Sequence, residues 1–312
     1  MLVEAPASSA NLGPGFDVFA LALETPRDRL RLSSRESPRP AVEVIVRGNS
    51  SLPTDPGKNA AGAVAMKIAK ERDLRFRMSI ELEKRVPVGV GMGSSAASSV
   101  AAAYAMNRHF RLGMSLTEVA DHAAYGELVC AGVEHHDNVA ASALGGFVVV
   151  KGGAVREYTG FKPPNALKVC VVTPDVMLPT RKTEYARSLL PSKVDLQDLT
   201  RNVGAASLMV SGFAKKDIAL IGKGMTDAIV EPARAAMIPG YWEVKRAAMA
   251  EGAAGTCISG AGPSVLAIVD SRKEDPARVT ASIRRAFLKA GSKSEGFVTT
   301  VGKGARSIDI AY

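Results

Sequence analysis

Apolar and polar residues alternate along one stretch of the chain: Phe76, Met78, Ile80 and Leu82 fall on one side, Arg77, Ser79, Glu81 and Glu83 on the other. A period of two predicts a strand with one buried face. Val42, Val44 and Val46 predict a second. After the first alternation comes Pro87-Val-Gly-Val-Gly-Met-Gly-Ser-Ser-Ala-Ala97, and then small, helix-favouring residues. The order there is strand, glycine loop, helix. Thr54-Asp-Pro-Gly-Lys-Asn59 turns into an alanine-rich helix reaching about residue 70. Ser115-Leu-Thr-Glu118 is a capping box that starts a helix running to about Cys130. Beyond about residue 155 the pattern changes. Lys168 to Thr173 reads as a strand, and helical periodicity covers about 181–190, 196–213, 215–230 and 241–250. Thr256 to Val269 reads as strand, Gly260-Ala-Gly-Pro263 loop, strand; a helix over about 276–290 and two strands close the chain. Strands and helices mix without strict βαβ alternation, which predicts an α+β protein with layered domains at 1–155 and 156–312.

Composition narrows the class. At 312 residues, 46% of them hydrophobic and 23% charged, the chain is long enough to bury one large core or two moderate ones. No apolar run reaches membrane-spanning length, and the first residues lack a cationic segment before an apolar one, so neither a span nor a signal peptide is expected. Cys130, Cys170 and Cys257 are odd in number, far apart and flanked by apolar residues, which predicts buried reduced thiols and a cytoplasmic protein. The net charge of +9 is scattered among acids; Arg27, Arg29 and Arg31, alternating with Asp28, Leu30 and Leu32, read as the wet face of a strand. Nucleic-acid binding is therefore not expected, while anionic small molecules suit such a surface.

Four features carry chemistry. Gly89, Gly91 and Gly93 leave backbone amides bare, and a helix starting near Ser94 adds unpaired N–H groups, an arrangement that favours phosphate. No lysine follows, so this is not a Gly-x4-Gly-Lys-Ser/Thr loop, and the third glycine falls one residue early for a dinucleotide fingerprint. Ala5 to Phe19 holds a Gly13-Pro14-Gly15 turn bracketed by Asn11 and Asp17, and Asp17 stands in an apolar run where a carboxylate needs a partner or ligand. Leu116, Ala120, Ala123 and Glu127 share one helix face, so Glu127 lies on an apolar stripe and calls for a cation nearby, the plainer alternatives being an arginine pair or a place at the edge of the stripe. His135, Asp137 and Asn138 form a polar knot, read either as helix capping or as a cluster facing a pocket.

Pro6 to Asp17, Pro87 to Ala97 and Ser259-Gly-Ala-Gly-Pro-Ser264, in that order, resemble the three motifs of the GHMP kinase family of galactokinases, homoserine kinases, mevalonate kinases and phosphomevalonate kinases. Within the family, Ala10-Asn-Leu-Gly-Pro-Gly-Phe-Asp17, Glu134-His-His-Asp-Asn-Val-Ala-Ala141, Thr183-Glu-Tyr-Ala-Arg187 and Glu231 to Gly240 are most similar to the homoserine kinase branch, although His136 replaces a proline. The resemblance implies an N-terminal domain like domain 2 of ribosomal protein S5 and a ferredoxin-like C-terminal domain. It implies transfer of the ATP γ-phosphoryl group to the hydroxyl of L-homoserine, on the way to threonine. ATP would lie on Pro87, Val88, Gly89, Val90, Gly91, Met92 and Gly93, continued by Ser94 and Ser95, and on Ser259, Gly260 and Gly262, with Asn59 near adenine. Mg²⁺ would be held by Glu127 and Ser95, in keeping with a cation's demand for few protein oxygens plus phosphates.

For the acceptor, Arg187 and Arg234 suit a carboxylate, Asp17 and Asp137 an ammonium, and Asn138 a hydroxyl, with Asn11 and His135 lining the pocket. Ala5 to Asp17 contains no lysine, unlike family members that pair a catalytic aspartate with one, so the transfer is expected to proceed without a strong base. A homodimer is compatible with the family. The rival readings are a GHMP kinase for mevalonate, shikimate or pantoate, a ligand sensor without turnover, and a nucleic-acid binder.

Overall fold

The computed structural model describes residues 1–49, 51–152, 157–177 and 182–308. The expected domain boundary at 155/156 lies outside these residues, as does residue 181 of one predicted helix.

The first half is built on β1 (Leu2–Asn11), β2 (Gly15–Glu36), β3 (Ala41–Arg47), β4 (Phe76–Glu83) and β5 (Phe147–Lys151). Its sheet runs β11-β1-β2-β4-β3, where β11 (Arg306–Ser307) is the returning C-terminal strand; β5 pairs with β2, and β6 (Glu157–Phe161) pairs with β5. Among the described residues of this sheet only β3 and β4 pair in parallel. One face carries α1 (Ala60–Glu71), α2 (Ser94–Phe110), α3 (Leu116–Ala131) and α4 (His136–Leu144). Alanine is what lets these helices approach so closely: Ala61, Ala65, Ala101, Ala105, Ala120 and Ala124 are fully buried beside Ile80 and Leu82. The capping box at Ser115 and Glu118 is present, and Gly132 ends α3 in the left-handed region.

The second half holds an antiparallel sheet of β7 (Leu167–Pro174), β8 (Gly255–Ile258), β9 (Val265–Asp270) and β10 (Ser294–Thr300), in the order β10-β7-β9-β8. With helices between β7 and β8 and α10 (Pro276–Lys289) between β9 and β10, this is the split βαβ order of a ferredoxin-like unit. One face packs on α9 (Tyr241–Ala250) and α10 through Val244, Val279, Ile283 and Phe287. The other face, with α6 (Leu196–Lys215) and α7 (Ile218–Lys223), shares a core with the first half. Phe147 stacks on Phe213 with ring centres 4.0 Å apart, and Phe19 meets Phe147 edge-on.

Three expectations are corrected. The helix predicted over 215–230 is α7 followed by a separate short α8 (Val230–Ala235). Gly224 closes α7, and Asp227 accepts from the amides of Ile229, Val230 and Glu231, a cap that restarts the chain in a new direction. Arg27 is not on a wet face: it is buried, donating to the carbonyls of Lys303 and Gly304, and Asp28 is wholly buried on the opposite side of β2. Cys170 and Cys257 are buried as expected, but Cys130 is exposed. Among the described residues no helix is long and apolar enough to cross a membrane.

Candidate active site

The three glycine-bearing stretches converge because backbone hydrogen bonds sew them together. Ser8 N donates to Met92 O, Gly260 N to Ala10 O, and Ser264 N to Val90 O. Gly91 (φ 88°) is obligatory: a Cβ there would stand 2.2 Å from the Ser259 carbonyl oxygen. Gly93 (φ 59°) lets α2 begin against Ser8 and Asn138, whose side-chain oxygens a Cβ would meet at 2.1 and 2.8 Å. Ser259 is a departure from the expected role. It is fully buried and bonds Ser9 Oγ and Gly91 O, so it holds the loops together without lining a pocket.

Beside this junction lies a cavity of about 700 Å³. Val88, Gly89, Gly91, Met92, Gly93, Ser94, Ser95 and Gly260 line it; Pro87, Val90 and Gly262 do not. Asn59 lines it too, yet its amide is used locally. Oδ1 caps α1 by accepting from Ala61 and Gly62, and Nδ2 donates to Pro53 O.

Glu127 is buried as its helix face predicted, at 4% exposure. His135 Nδ1 donates to its Oε2 at 3.2 Å, while Oε1 has no hydrogen-bond partner. A buried carboxylate oxygen left without a partner is costly. A cation held by Glu127 and Ser95, both on the cavity wall, answers that need. Among the described residues no group of three or more His, Cys, Asp or Glu could chelate a metal alone. The donor set thus fits Mg²⁺, which takes one or two protein oxygens and completes its shell with phosphates and water.

A second cluster gathers the remaining candidates. Asp17 (φ 56°) receives Arg187 Nη2 on both oxygens at 3.2 and 2.9 Å, and its amide donates to Asn11 Oδ1. Asn11 Nδ2 reaches Gly260 O, so this residue bridges the first and third motifs as well as lining the cavity. Arg234 is buried at 4% exposure, placed by the Asp227 cap of α8, and donates to Ala186 O and Gly260 O. The guanidiniums of Arg187 and Arg234 each lie 5.3 Å from the centre of the Phe16 ring, a residue the sequence reading passed over. Asp137 is 2% exposed and accepts from Asn138 N; burial, and then the charge of Asp17, push its carboxyl up to about 7. Asn138 Oδ1 accepts from Ser8 Oγ. Burial pulls the His135 imidazole down, but the Glu127 hydrogen bond and the charges of Glu127, Asp137 and Asp17 outweigh it and hold it above the usual histidine range.

Two buried lysines on the cavity wall also escaped the sequence reading, Lys84 and Lys182. Nothing in their local sequence marks them, because burial of a lysine is decided by tertiary packing.

Family models for the GHMP kinases N-terminal and C-terminal domains match residues 59–146 and 209–289. The chain belongs to the GHMP kinase family, whose members use ATP as co-substrate. It is 39% identical to the homoserine kinase of Methanocella arvoryzae over 98% of this chain and 97% of that one. Against the homoserine kinase of Methanopyrus kandleri the figure is 41% over 86% of each. The crystal structure of homoserine kinase from Cytophaga hutchinsonii superimposes with a TM-score of 0.91 at 33% identity, covering 99% of this chain and 97% of that chain. A mevalonate kinase from L. major shares the fold, at 15% identity and a TM-score of 0.70. Within the family, its full-length relatives put the chain in the homoserine kinase branch.

Proposed function

We propose that the chain is an ATP-dependent kinase that phosphorylates the hydroxyl of L-homoserine, giving O-phospho-L-homoserine for threonine synthesis. The observation that carries this reading is the pairing of opposite charges in one cavity: Asp17 and Asp137 beside Arg187 and Arg234, with Arg234 within electrostatic reach of the other three. An amino acid brings an ammonium and a carboxylate, and that set complements both. Arg187 already pairs with Asp17, so a bound zwitterion exchanges one internal ion pair for two external ones. A hydroxy acid without an amino group would draw Arg187 from Asp17 and supply no cation in its place.

The bare amides at Gly89, Gly91 and Gly93 and the start of α2 hold the phosphates. Mg²⁺, held by Glu127 and Ser95, would neutralise charge on them. Asn138, fixed by Ser8, orients the acceptor hydroxyl. Its oxygen forms the new bond to the γ-phosphorus, the bond to the β,γ-bridging oxygen breaks, and ADP leaves with that electron pair. The hydroxyl proton passes to a phosphoryl oxygen, since in the complex Asp17 is engaged by the ammonium and no lysine of the first motif supports a base.

ADP release with Mg·ATP tests the acceptor. Turnover is expected with L-homoserine and not with mevalonate, shikimate or pantoate; turnover with one of those instead overturns the amino-acid pocket. ATP binding without turnover of any would favour a sensor.

The Asp137 carboxyl near 7 adds a pH dependence. Below that value it is neutral in the free protein and a poor partner for an ammonium; above it, it is ionised. kcat/KM for homoserine should therefore rise with pH, by up to about tenfold per unit, and level off once Asp137 is ionised. A flat profile across that window would remove Asp137 from the ammonium site.

A further inference from the structure

Two lysines reach the cavity wall from buried positions, and their surroundings differ in one decisive respect. Lys84 has all three of its N–H donors taken: Nζ donates to Asp28, to Ser94 O at 2.7 Å and to Ser98 Oγ at 3.0 Å. Its charge is balanced by Asp28. Lys182, 9% exposed, donates among the described residues to one acceptor, the carbonyl oxygen of Gly262. Among the described residues no carboxylate lies within ion-pair distance of it, and the charged neighbour it feels is another cation, Arg234. Burial, and then Arg234, pull its amine down to about 8. Among the described residues this is a buried ammonium with two unpaired donors and no counter-ion, surroundings that suit an anion.

We propose that Lys182 grips the γ-phosphoryl group of ATP, supplying the cation that the glycine loops lack. The position of its amine selects the phosphate over the acceptor carboxylate. The Gly262 oxygen that receives Nζ lies 2.8 Å from where a Cβ on Gly91 would stand, so Lys182 meets the junction of the second and third motifs. The acceptor guanidiniums converge on Phe16, with Arg234 also donating to Gly260 O of the third motif. A lysine is also the suitable residue: a compact point charge binds phosphoryl oxygens without the fixed fork that a carboxylate favours. As a positively charged donor it strengthens its hold as negative charge develops between the parting oxygens.

The inference rests on reading the site as an ATP-dependent kinase, but its test does not depend on the acceptor. Binding of a non-hydrolysable ATP analogue and of ADP, each with Mg²⁺ and without acceptor, is compared in wild type, Lys182→Met and Lys182→Arg. Lys182→Met should weaken the triphosphate analogue about 10- to 100-fold and ADP less than about threefold, the loss of one charge-assisted contact. Lys182→Arg should restore most of the lost discrimination. The melting temperature of Lys182→Met should not fall, because the variant removes a buried charge that has no ionic partner. Equal weakening of both nucleotides, or no change in either, overturns the proposal. So does a defect confined to the homoserine KM, which would move Lys182 to the acceptor carboxylate. Failure of homoserine as an acceptor would leave the nucleotide result standing, so the two readings fail separately.

Discussion

Replacing Glu127 by glutamine should lower kcat by about a thousandfold, the size of loss seen when charge stabilisation of a transferring group is removed. The substitution keeps the shape of the side chain and its position on α3 while removing the charge that leaves Oε1 unsatisfied. Steady-state rates at increasing Mg²⁺ provide the check. The variant should show a weakened dependence on the metal as well as a low ceiling. His135→Ala serves as the comparison, because it frees Glu127 Oε2 without touching the carboxylate; its loss should stay near tenfold. Glu127→Gln turnover within about tenfold of wild type would show that the carboxylate exists for His135 and not for a metal.

The largest effect on stability is expected at Asp28. This wholly buried carboxylate accepts from Lys84 Nζ, Ser98 Oγ and the amides of Arg85 and Val86. Together these bonds hold the end of β4, the approach to the glycine loop and the second turn of α2 against β2. Asp28→Ala strands Lys84 as an unpaired buried cation and should cost about 3–5 kcal/mol. Urea denaturation measures it. The double variant Asp28→Ala/Lys84→Met should recover part of the loss, since an apolar pair is better buried than half an ion pair. A double variant no more stable than the single one would mean that the backbone amides, and not the lysine, set the cost.

Glu127 was legible in the sequence because a helix face has a fixed period, and one charged position on an apolar stripe stands out. The glycine loop was legible for a similar local reason: alternating glycines before a small-residue helix specify backbone geometry without any tertiary information. Arg27 was misread because strand alternation tells which residues share a side, not how far along its length that side stays wet. β2 is covered on both sides along part of its length, by α2 and by the loop at Lys303 and Gly304. Lys182 and Phe16 gave no signal, since each is placed by contacts distant in the sequence: Lys182 by Gly262, 80 residues on, and Phe16 by Arg187 and Arg234. Ser259 was assigned to the nucleotide on its motif, whereas its hydroxyl is turned to Ser9 and the loop backbone.

The shared core beneath the cavity has a kinetic meaning. Leu21, Phe147 and Met92 from one half interlock with Val171, Phe213 and Leu266 from the other, and the loops above them are cross-linked by backbone bonds. Parting the halves like a jaw would wet that apolar layer at about 25 cal/mol for every Å² exposed. Traffic of nucleotide and acceptor is therefore left to side chains at the mouth. The Arg187–Asp17 pair, both partly exposed, joins the two halves above that layer and can part without disturbing it.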